Sequence, residues 1–219
     1  MRHIPARAGT RDANRSLRQM LKEYTIEPLN GERIKDWLGF FESRAFADNP
    51  WWGSCYCTHF HRGKDGEGKP NGMTNRAFAS WLIETGQMQG YLVYSPGGIV
   101  VGWCNANDRQ AYMAFTARPS ETGGKAACGS ESKGKTKALV CFVIEKTHRR
   151  QGLATALLQR VIADARSDGY QSVEAYPSAR ARSEAGNYRG PLNLYIKNGF
   201  SLEKQGRRTV ARLRLAVGF

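Results

Sequence analysis

The sequence predicts an α/β fold in which a mixed, mainly antiparallel sheet is flanked by helices. Residues 138–144 form a continuous apolar run of β-branched and aromatic side chains, which is typical of a strand buried on both faces. Over residues 151–167 the apolar positions recur at helical spacing, and residues 171–176 again have the composition of a short strand. These three segments predict a strand, a helix and a second, parallel strand near the middle of the sheet.

The same periodicities predict the remaining elements. Asp168-Gly169 supplies a left-handed stop for the central helix, and Asn198-Gly199 does the same for a helix that Pro191 opens. The turn Ser95-Pro96-Gly97-Gly98 joins two strand-like runs as a hairpin. The predicted helices cover residues 30–46, 75–84 and 191–198, and the predicted strands cover residues 24–29, 91–94, 99–105, 200–204 and 207–217.

The length of 219 residues and the apolar fraction of 41% suit one domain, which we expect to cover residues 23–219. Residues 1–22 are predicted to form a flexible basic arm, with a marginal helix over residues 14–23. An organelle-targeting segment or a nucleic-acid tether is the alternative for this arginine-rich stretch. Residues 108–137 have weak periodicity and many small residues, so we expect a long mobile loop insertion, in which Arg109, Tyr112 and Phe115 could close over a substrate.

Charge and hydropathy limit the function classes. The chain has 33 Lys and Arg residues and 19 Asp and Glu residues, which gives a net charge of +14. This charge makes nucleic acid a candidate partner. The basic residues are dispersed, however, and no nucleic-acid-binding motif accompanies them, so this partner is not favoured. The chain has no apolar run of about 18 residues and no apolar N-terminal block, so we expect a cytoplasmic protein without a membrane partner. None of these features predicts the oligomeric state.

An anion site is predicted at the turn between the central strand and helix, which reads Arg149-Arg150-Gln151-Gly152-Leu153-Ala154-Thr155. Gly152 and Ala154 leave room for an anion to approach the first backbone N–H groups of the helix, which lack intrahelical partners. Arg149 and Arg150 add positive charge, and a diphosphate would accept several of these bonds at once. An ordinary basic helix start is the alternative. The pattern matches neither G-x-x-x-x-G-K-[ST] nor G-x-G-x-x-G, which disfavours nucleoside triphosphates and NAD.

This turn resembles motif A of the GNAT N-acetyltransferase superfamily, [RQ]-x-x-G-x-[GA], through Arg149, Gly152 and Ala154. Residues 194–200 read LYIKNGF and are similar to the L-Y-x-K-x-G-F segment of that family. The resemblance implies acetyl-CoA as co-substrate and a small-molecule or peptide amine as acceptor. The chain is also similar to a bacterial branch of the family with C-x-C, G-W-C, C-F-V and E-A-Y-P segments, which here are residues 55–57, 102–104, 141–143 and 174–177.

The resemblance also implies which residues contact the cofactor. The motif A turn would hold the diphosphate of acetyl-CoA, and the strand before it would pair with the pantetheine arm. Many relatives carry an asparagine seven residues before the family tyrosine, where this chain has Tyr188, so no contact is assigned there. The expected cofactor-binding residues are Phe142, Val143, Ile144, Arg149, Arg150, Gln151, Gly152, Leu153, Ala154, Thr155 and Tyr195.

Three residues are catalytic candidates: Tyr195, Glu145 and His59. Tyr195 matches a tyrosine that stands near the sulfur of CoA in relatives, and a neutral phenol, with an ordinary pKa of about 10, could protonate the departing thiolate. A tyrosine that only packs against or hydrogen-bonds the cofactor is the alternative. Glu145 and His59, with Glu42 and Asp48, are candidates for taking the amine proton. The competing interpretation is a non-catalytic module that binds acyl-CoA, nucleic acid or another partner.

Aromatic, cysteine and histidine residues concentrate in residues 49–61. If residues 55–61 are extended, Cys55, Cys57, His59 and His61 lie on one face and suggest a metal site. Because six residues of strand span about 20 Å, one straight strand cannot supply four ligands to one zinc ion, and we expect no metal. A half-buried strand or aromatic core is favoured over a polar patch that lines the acceptor pocket. The chain has 5 cysteines, an odd number, which suggests reduced thiols.

Overall fold

The computed structural model describes residues 23–63, 66–116, 134–178, 185–205 and 208–216. The predicted basic arm, most of its marginal helix and the middle of the predicted insertion, residues 117–133, lie outside the described residues. Within the described ranges, no helix is long and apolar enough to cross a membrane.

Seven strands form one sheet in the order β1-β2-β3-β4-β5-β7-β6. Only β4 and β5 pair in parallel, and every other neighbouring pair is antiparallel. The predicted mixed, mainly antiparallel sheet with the strand–helix–strand unit at its centre is therefore confirmed. The strands are β1 (Thr25–Pro28), β2 (Gly90–Tyr94), β3 (Val100–Asp108), β4 (Thr136–Ile144), β5 (Ser172–Ala175), β6 (Ser201–Gln205) and β7 (Arg208–Arg214).

Helices cover both faces of the sheet. The α-helices are α1 (Ile34–Ser43), α2 (Asn75–Glu84), α3 (Met113–Thr116), α4 (Leu153–Ser167) and α5 (Leu192–Lys197). The buried row of α4 packs on one face with Leu139, Phe142 and Val173 of the central strands. On the other face, α1 and α2 bury Trp37, Phe40 and Phe78 against β2 and β3. Both faces of the central strands are therefore buried, as their apolar runs predict.

The central strands separate at one end of the sheet. β4 pairs with β5 only from Thr136 to Leu139, although β4 continues to Ile144. The Glu145 N–H bonds to the Val101 carbonyl of β3. Because main-chain groups of successive strand residues point to opposite sides, those of Phe142 and Ile144 face away from β3, into the gap that β5 leaves.

Two glycines flank the central helix, which begins two residues later than predicted. Gly169, after α4, has a φ of 73°, which confirms the predicted left-handed stop. Gly152 directly precedes α4 with a φ of 83°, and Arg150 also has a positive φ, 61°. The motif A turn therefore bends twice through the left-handed region, which costs little for glycine and more for arginine.

Residues 55–61 are not extended, so the half-buried strand, one of the two structures predicted for them, is wrong. Two 3₁₀ turns, Pro50–Cys55 and His59–His61, flank Tyr56 and Cys57, which have φ values of 44° and 50°. The Asn105 side chain of β3 donates to the Cys57 carbonyl. This tertiary hydrogen bond stabilises the non-extended backbone of residues 55–61, which the alternation of side chains in the sequence does not predict.

The predicted loop over residues 108–137 is also too long at both ends. Asp108 pairs with Lys137, so β3 and β4 extend further into this segment than the periodicity indicates. Tyr112 is fully buried, and Arg109 forms an ion pair of 3.3 Å with buried Glu174. Tyr112 therefore belongs to the folded core, and the ion pair holds Arg109 against β5.

Candidate active site

A cavity of about 470 Å³ opens where β4 and β5 separate. One wall is the end of β4, residues 141–144, with Arg149 and Ala154 of the motif A turn. A second wall comes from residues 45–60, which follow α1, and a third from residues 187–191 before α5. The cavity thus joins the predicted cofactor strand to the aromatic segment of residues 49–61, for which a lining of the acceptor pocket was the less favoured prediction.

Five of the predicted cofactor-binding residues line this cavity: Phe142, Val143, Ile144, Arg149 and Ala154. Leu153 is the first residue of α4, and its side chain is buried in the hydrophobic core. The Gln151 side chain braces the turn, because it accepts from the Tyr24 hydroxyl at 3.2 Å and donates to the Thr147 carbonyl at 2.9 Å. Arg150 is exposed, Gly152 directly precedes α4, and Thr155 lies in the first turn of α4.

The first turn of α4 presents main-chain donors next to the cavity. The first intrahelical bond of α4 runs from the Ala156 N–H to the Gly152 carbonyl, at 3.0 Å. The N–H groups of Leu153, Ala154 and Thr155 precede that bond and therefore have no intrahelical partner. They lie at the positive end of the helix dipole, which suits a diphosphate.

Arg149 links two walls of the cavity. Its Nε donates to the Ile144 carbonyl at 2.9 Å, and its two terminal nitrogens donate to the carboxylate of Asp48 at 2.5 and 2.9 Å. These hydrogen bonds hold the pKa of Asp48 below its ordinary value. The guanidinium therefore braces the end of β4 against the segment after α1, in place of the direct anion contact that the motif implies.

Tyr195 does not line the cavity. Its side chain is fully buried against Phe200, and its hydroxyl donates to the Arg189 carbonyl at 2.5 Å. Burial raises the pKa of the Tyr195 phenol well above its ordinary value. A Cβ atom at Gly190 would lie 2.6 Å from the Tyr195 hydroxyl oxygen, so the phenol sits directly behind the cavity wall that Gly190 forms. This position does not match the expected contact with CoA sulfur.

The two predicted proton acceptors differ in position. His59 lines the cavity, is exposed, and meets the ring of Phe60 edge-on at 5.1 Å. Glu145 does not line the cavity, and its carboxylate lies 3.6 Å from the His148 imidazole and 4.0 Å from the Arg44 guanidinium. The geometry therefore favours His59 over Glu145 as a group that meets a substrate.

Sequence reasoning missed Tyr188, which lines the cavity. The Phe142 N–H donates to the Tyr188 carbonyl at 2.5 Å, and the Arg189 Nε donates to the Tyr188 hydroxyl at 2.9 Å. The Tyr188 ring meets Trp52 edge-on at 5.4 Å. The available signal was the departure from the family pattern, because Tyr188 replaces the asparagine that many relatives carry.

A buried polar cluster supports the wall behind residues 57–61. Asn105 donates to the Cys57 carbonyl, accepts from the Tyr112 hydroxyl at 2.7 Å, and lies 3.3 Å from the Nε2 of His61. The sulfur atoms of Cys57 and Cys141 are 3.4 Å apart. Among the residues described, no group of three or more His, Cys, Asp or Glu side chains is arranged to hold a metal ion. Cys55, Cys57, Cys104 and Cys141 are free thiols, and Cys128 lies outside the described ranges.

The sequence model of the acetyltransferase (GNAT) family matches residues 57–185, more than half of the chain. The chain belongs to the GNAT family. The matched region contains β2 to β5, the whole of α4 and the motif A turn, and it includes the wall of the cavity that β4, Arg149 and Ala154 form. Among proteins with curated descriptions, none matches this chain in sequence.

Solved structures share the fold of this GNAT protein at low sequence identity. An N-acetyltransferase from Staphylococcus aureus Mu50 is 16% identical with a TM-score of 0.50, and the match covers 87% of this chain and 98% of that one. A GNAT superfamily phosphinothricin acetyltransferase from Sinorhizobium meliloti, solved in complex with AcCoA, is 16% identical with a TM-score of 0.51, covering 90% of each chain. The GNAT domain of S. lividans PAT is 12% identical with a TM-score of 0.52, covering 87% and 89%.

Proposed function

We propose that this GNAT protein is an acetyl-CoA-dependent N-acetyltransferase in which a primary amine attacks the thioester of acetyl-CoA directly. The observation that carries the proposal is the continuity of the cavity, which runs along the unpaired end of β4 to the first turn of α4. One bound molecule with a diphosphate at one end and a thioester at the other fits this path. The fold shared with the Sinorhizobium meliloti enzyme, which was solved with AcCoA, supports the same conclusion.

Main-chain groups would hold the cofactor. The N–H groups of Leu153, Ala154 and Thr155 would bind the diphosphate, and the main-chain groups of Phe142 and Ile144 would pair with the pantetheine arm. The Phe142 N–H donates to Tyr188 in the structure at 2.5 Å, so the arm or its thioester oxygen would take over that bond. Arg149 would keep the end of β4 in register by its bond to the Ile144 carbonyl.

Acetyl-CoA, when bound, supplies an acetyl group activated as a thioester. The cavity walls would hold the amine beside it, and this proximity provides much of the rate acceleration. His59 would accept the amine proton, directly or through water, because it is the exposed imidazole of the cavity lining.

We assign to the Tyr188 hydroxyl the role of donating a proton to the departing thiolate. Its oxygen accepts a hydrogen bond from the Arg189 guanidinium, so its own O–H proton remains available to donate. Tyr195 then acts as a positioning residue, because its hydroxyl holds the Arg189 carbonyl next to Tyr188.

Release of CoA thiol from acetyl-CoA, measured with a panel of primary amines, tests the proposal. We expect Tyr188→Phe to lower kcat about 100-fold, the typical contribution of one acid–base group. Tyr195→Phe should lower the free energy of unfolding by about 1 kcal/mol and change kcat only slightly. Tyr94→Phe is the matched control, since the Tyr94 hydroxyl donates to Asp36 on the protein surface, away from the cavity.

Several results would contradict this assignment. A large loss of kcat in Tyr195→Phe with normal activity in Tyr188→Phe would return the acid role to Tyr195. Tight CoA binding with no thiol release for any amine would identify a non-catalytic binding module. Nucleic-acid affinity that falls steeply with salt, in a protein that does not bind CoA, would favour the nucleic-acid interpretation.

A further inference from the structure

We propose that the acceptor is an arylalkylamine, a primary amine carried on an aromatic body, and that residues 46–60 together with Tyr188 bind this body. This inference rests on the proposed acetyl transfer and names its substrate class. It follows from the chemistry of the cavity wall that faces β4, and from the way the charged groups of that wall are paired.

The wall opposite β4 is largely aromatic. Phe46, Trp52 and Phe60 line it, and Tyr188 adds a ring that meets Trp52 edge-on at 5.4 Å. Trp51 stands at the rim with 88% of its surface exposed. An exposed aromatic side chain that adjoins an aromatic cavity is typical of a binding site for an apolar group.

The charged groups of the described lining neutralise one another. Asp48 and Arg149 form a two-bond ion pair, so neither presents a full charge to a ligand. Arg189 lies outside the lining, with its guanidinium 5.3 Å from the centre of the Phe60 ring and 5.2 Å from that of Tyr188. A second ammonium on the acceptor would lose its hydration without gaining an equivalent partner, because Asp48 is already paired with Arg149.

An aromatic body suits the same wall. Rings bury a large apolar area and gain further free energy from edge-to-face contacts such as the one between Trp52 and Tyr188. The faces of Trp51 and Trp52 attract an incoming ammonium, while apolar surroundings then favour the neutral amine that attacks the thioester. A polyamine or an aliphatic amino acid such as glutamate has no ring, so it does not gain these aromatic contacts.

Comparison of acceptors at saturating acetyl-CoA tests the inference. We expect kcat/KM for 2-phenylethylamine to exceed that for spermidine and for glutamate at least tenfold. Trp52→Ala should lower kcat/KM for 2-phenylethylamine about tenfold and leave the value for ethylamine, which has no ring, nearly unchanged. Trp81→Ala, which removes a partly exposed ring of α2 outside the cavity lining, is the matched control and should change neither value.

A second variant guards against misfolding of Trp52→Ala. Trp51 is exposed enough that its removal should leave the fold intact, and Trp51→Ala should lower kcat/KM for 2-phenylethylamine severalfold. Preferential acetylation of spermidine or glutamate, or equal losses for 2-phenylethylamine and ethylamine in both variants, would overturn the inference and leave acetyl transfer standing. CoA binding without acetylation of any of these amines would also overturn it. Absence of CoA binding would overturn the proposed function itself.

Discussion

His61 is the most unusual titratable residue in the described part of the chain. Its side chain is 3% exposed, its Nε2 lies 3.3 Å from the Asn105 amide nitrogen, and its Nδ1 has no hydrogen-bond partner. Asn105 accepts from Tyr112 through its oxygen, so its nitrogen donates to His61 and the imidazole is neutral. Burial lowers the pKa of His61 from 6.5 to about 4.

This residue predicts a loss of stability in mild acid. Between pH 6.5 and pH 4 the unfolded chain protonates His61 and the folded chain does not, so the unfolded state binds more protons. The free energy of unfolding should therefore decrease by about 2 kcal/mol from pH 7 to pH 5 because of His61 alone. Urea unfolding at several pH values measures this slope, and His61→Gln should flatten it.

Trp81→Ala provides the control for this measurement. It removes a partly exposed side chain that carries no titratable group, so this variant should keep the slope of the unmodified protein. An unchanged slope in His61→Gln would show that His61 is already protonated, or accessible to water, in the folded state.

At the scale of elements, the position of β4 relative to α1 depends on Arg149. The Asp48 and Arg149 side chains are only about one-fifth exposed, and the pair joins positions 101 residues apart in the chain. A two-bond pair of this kind requires the planar fork of arginine, which lysine does not have. The Ile144 carbonyl would also lose its donor in a lysine variant.

Arg149→Lys is therefore expected to destabilise the protein by about 1–2 kcal/mol and to weaken CoA binding, because the end of β4 and the motif A turn lose a common support. Chemical denaturation and calorimetric titration with CoA measure the two effects. Arg76→Lys is a matched control, since Arg76 pairs with Glu42 on the surface, and this substitution should change stability far less than Arg149→Lys. Equal effects of the two lysine variants would contradict a bracing role for Arg149.

At the scale of the whole molecule, the net charge of +14 is compatible with a polyanionic co-substrate. Coenzyme A would contact three segments at once in the proposed complex: the end of β4, the first turn of α4 and residues 187–191. Ligand binding to the folded state alone stabilises it by mass action, independently of which single contact dominates.

CoA at 100 times its dissociation constant should raise the free energy of unfolding by about 2.7 kcal/mol, which corresponds to an increase in Tm of about 5–11 °C for a protein of this size. Thermal unfolding with and without CoA measures the shift. Adenosine, which lacks the diphosphate and the pantetheine arm, is the control and should have little effect. A Tm that does not respond to millimolar CoA would contradict the proposed cofactor site.

The fold was largely predictable from the sequence. Apolar periodicity identified β4, α4 and α2, and turn chemistry identified the stop at Gly169, because these signals arise from neighbouring residues whose backbone geometry is local. Motif A was recognisable for the same reason, since a positive-φ glycine and small residues at the start of a helix are short-range features.

Only the tertiary structure decided which side chains reach the cavity. Tyr195 lies behind the wall and Tyr188 lies in it, although both precede the same strand and carry the same phenol. The partners Asp48 and Arg149, and likewise Asn105 and Cys57, are distant in the chain. Periodicity specifies the face of a regular helix or strand, but residues 46–61 and 185–191 follow irregular paths. Their side-chain directions are set by long-range packing and hydrogen bonds that no local pattern encodes.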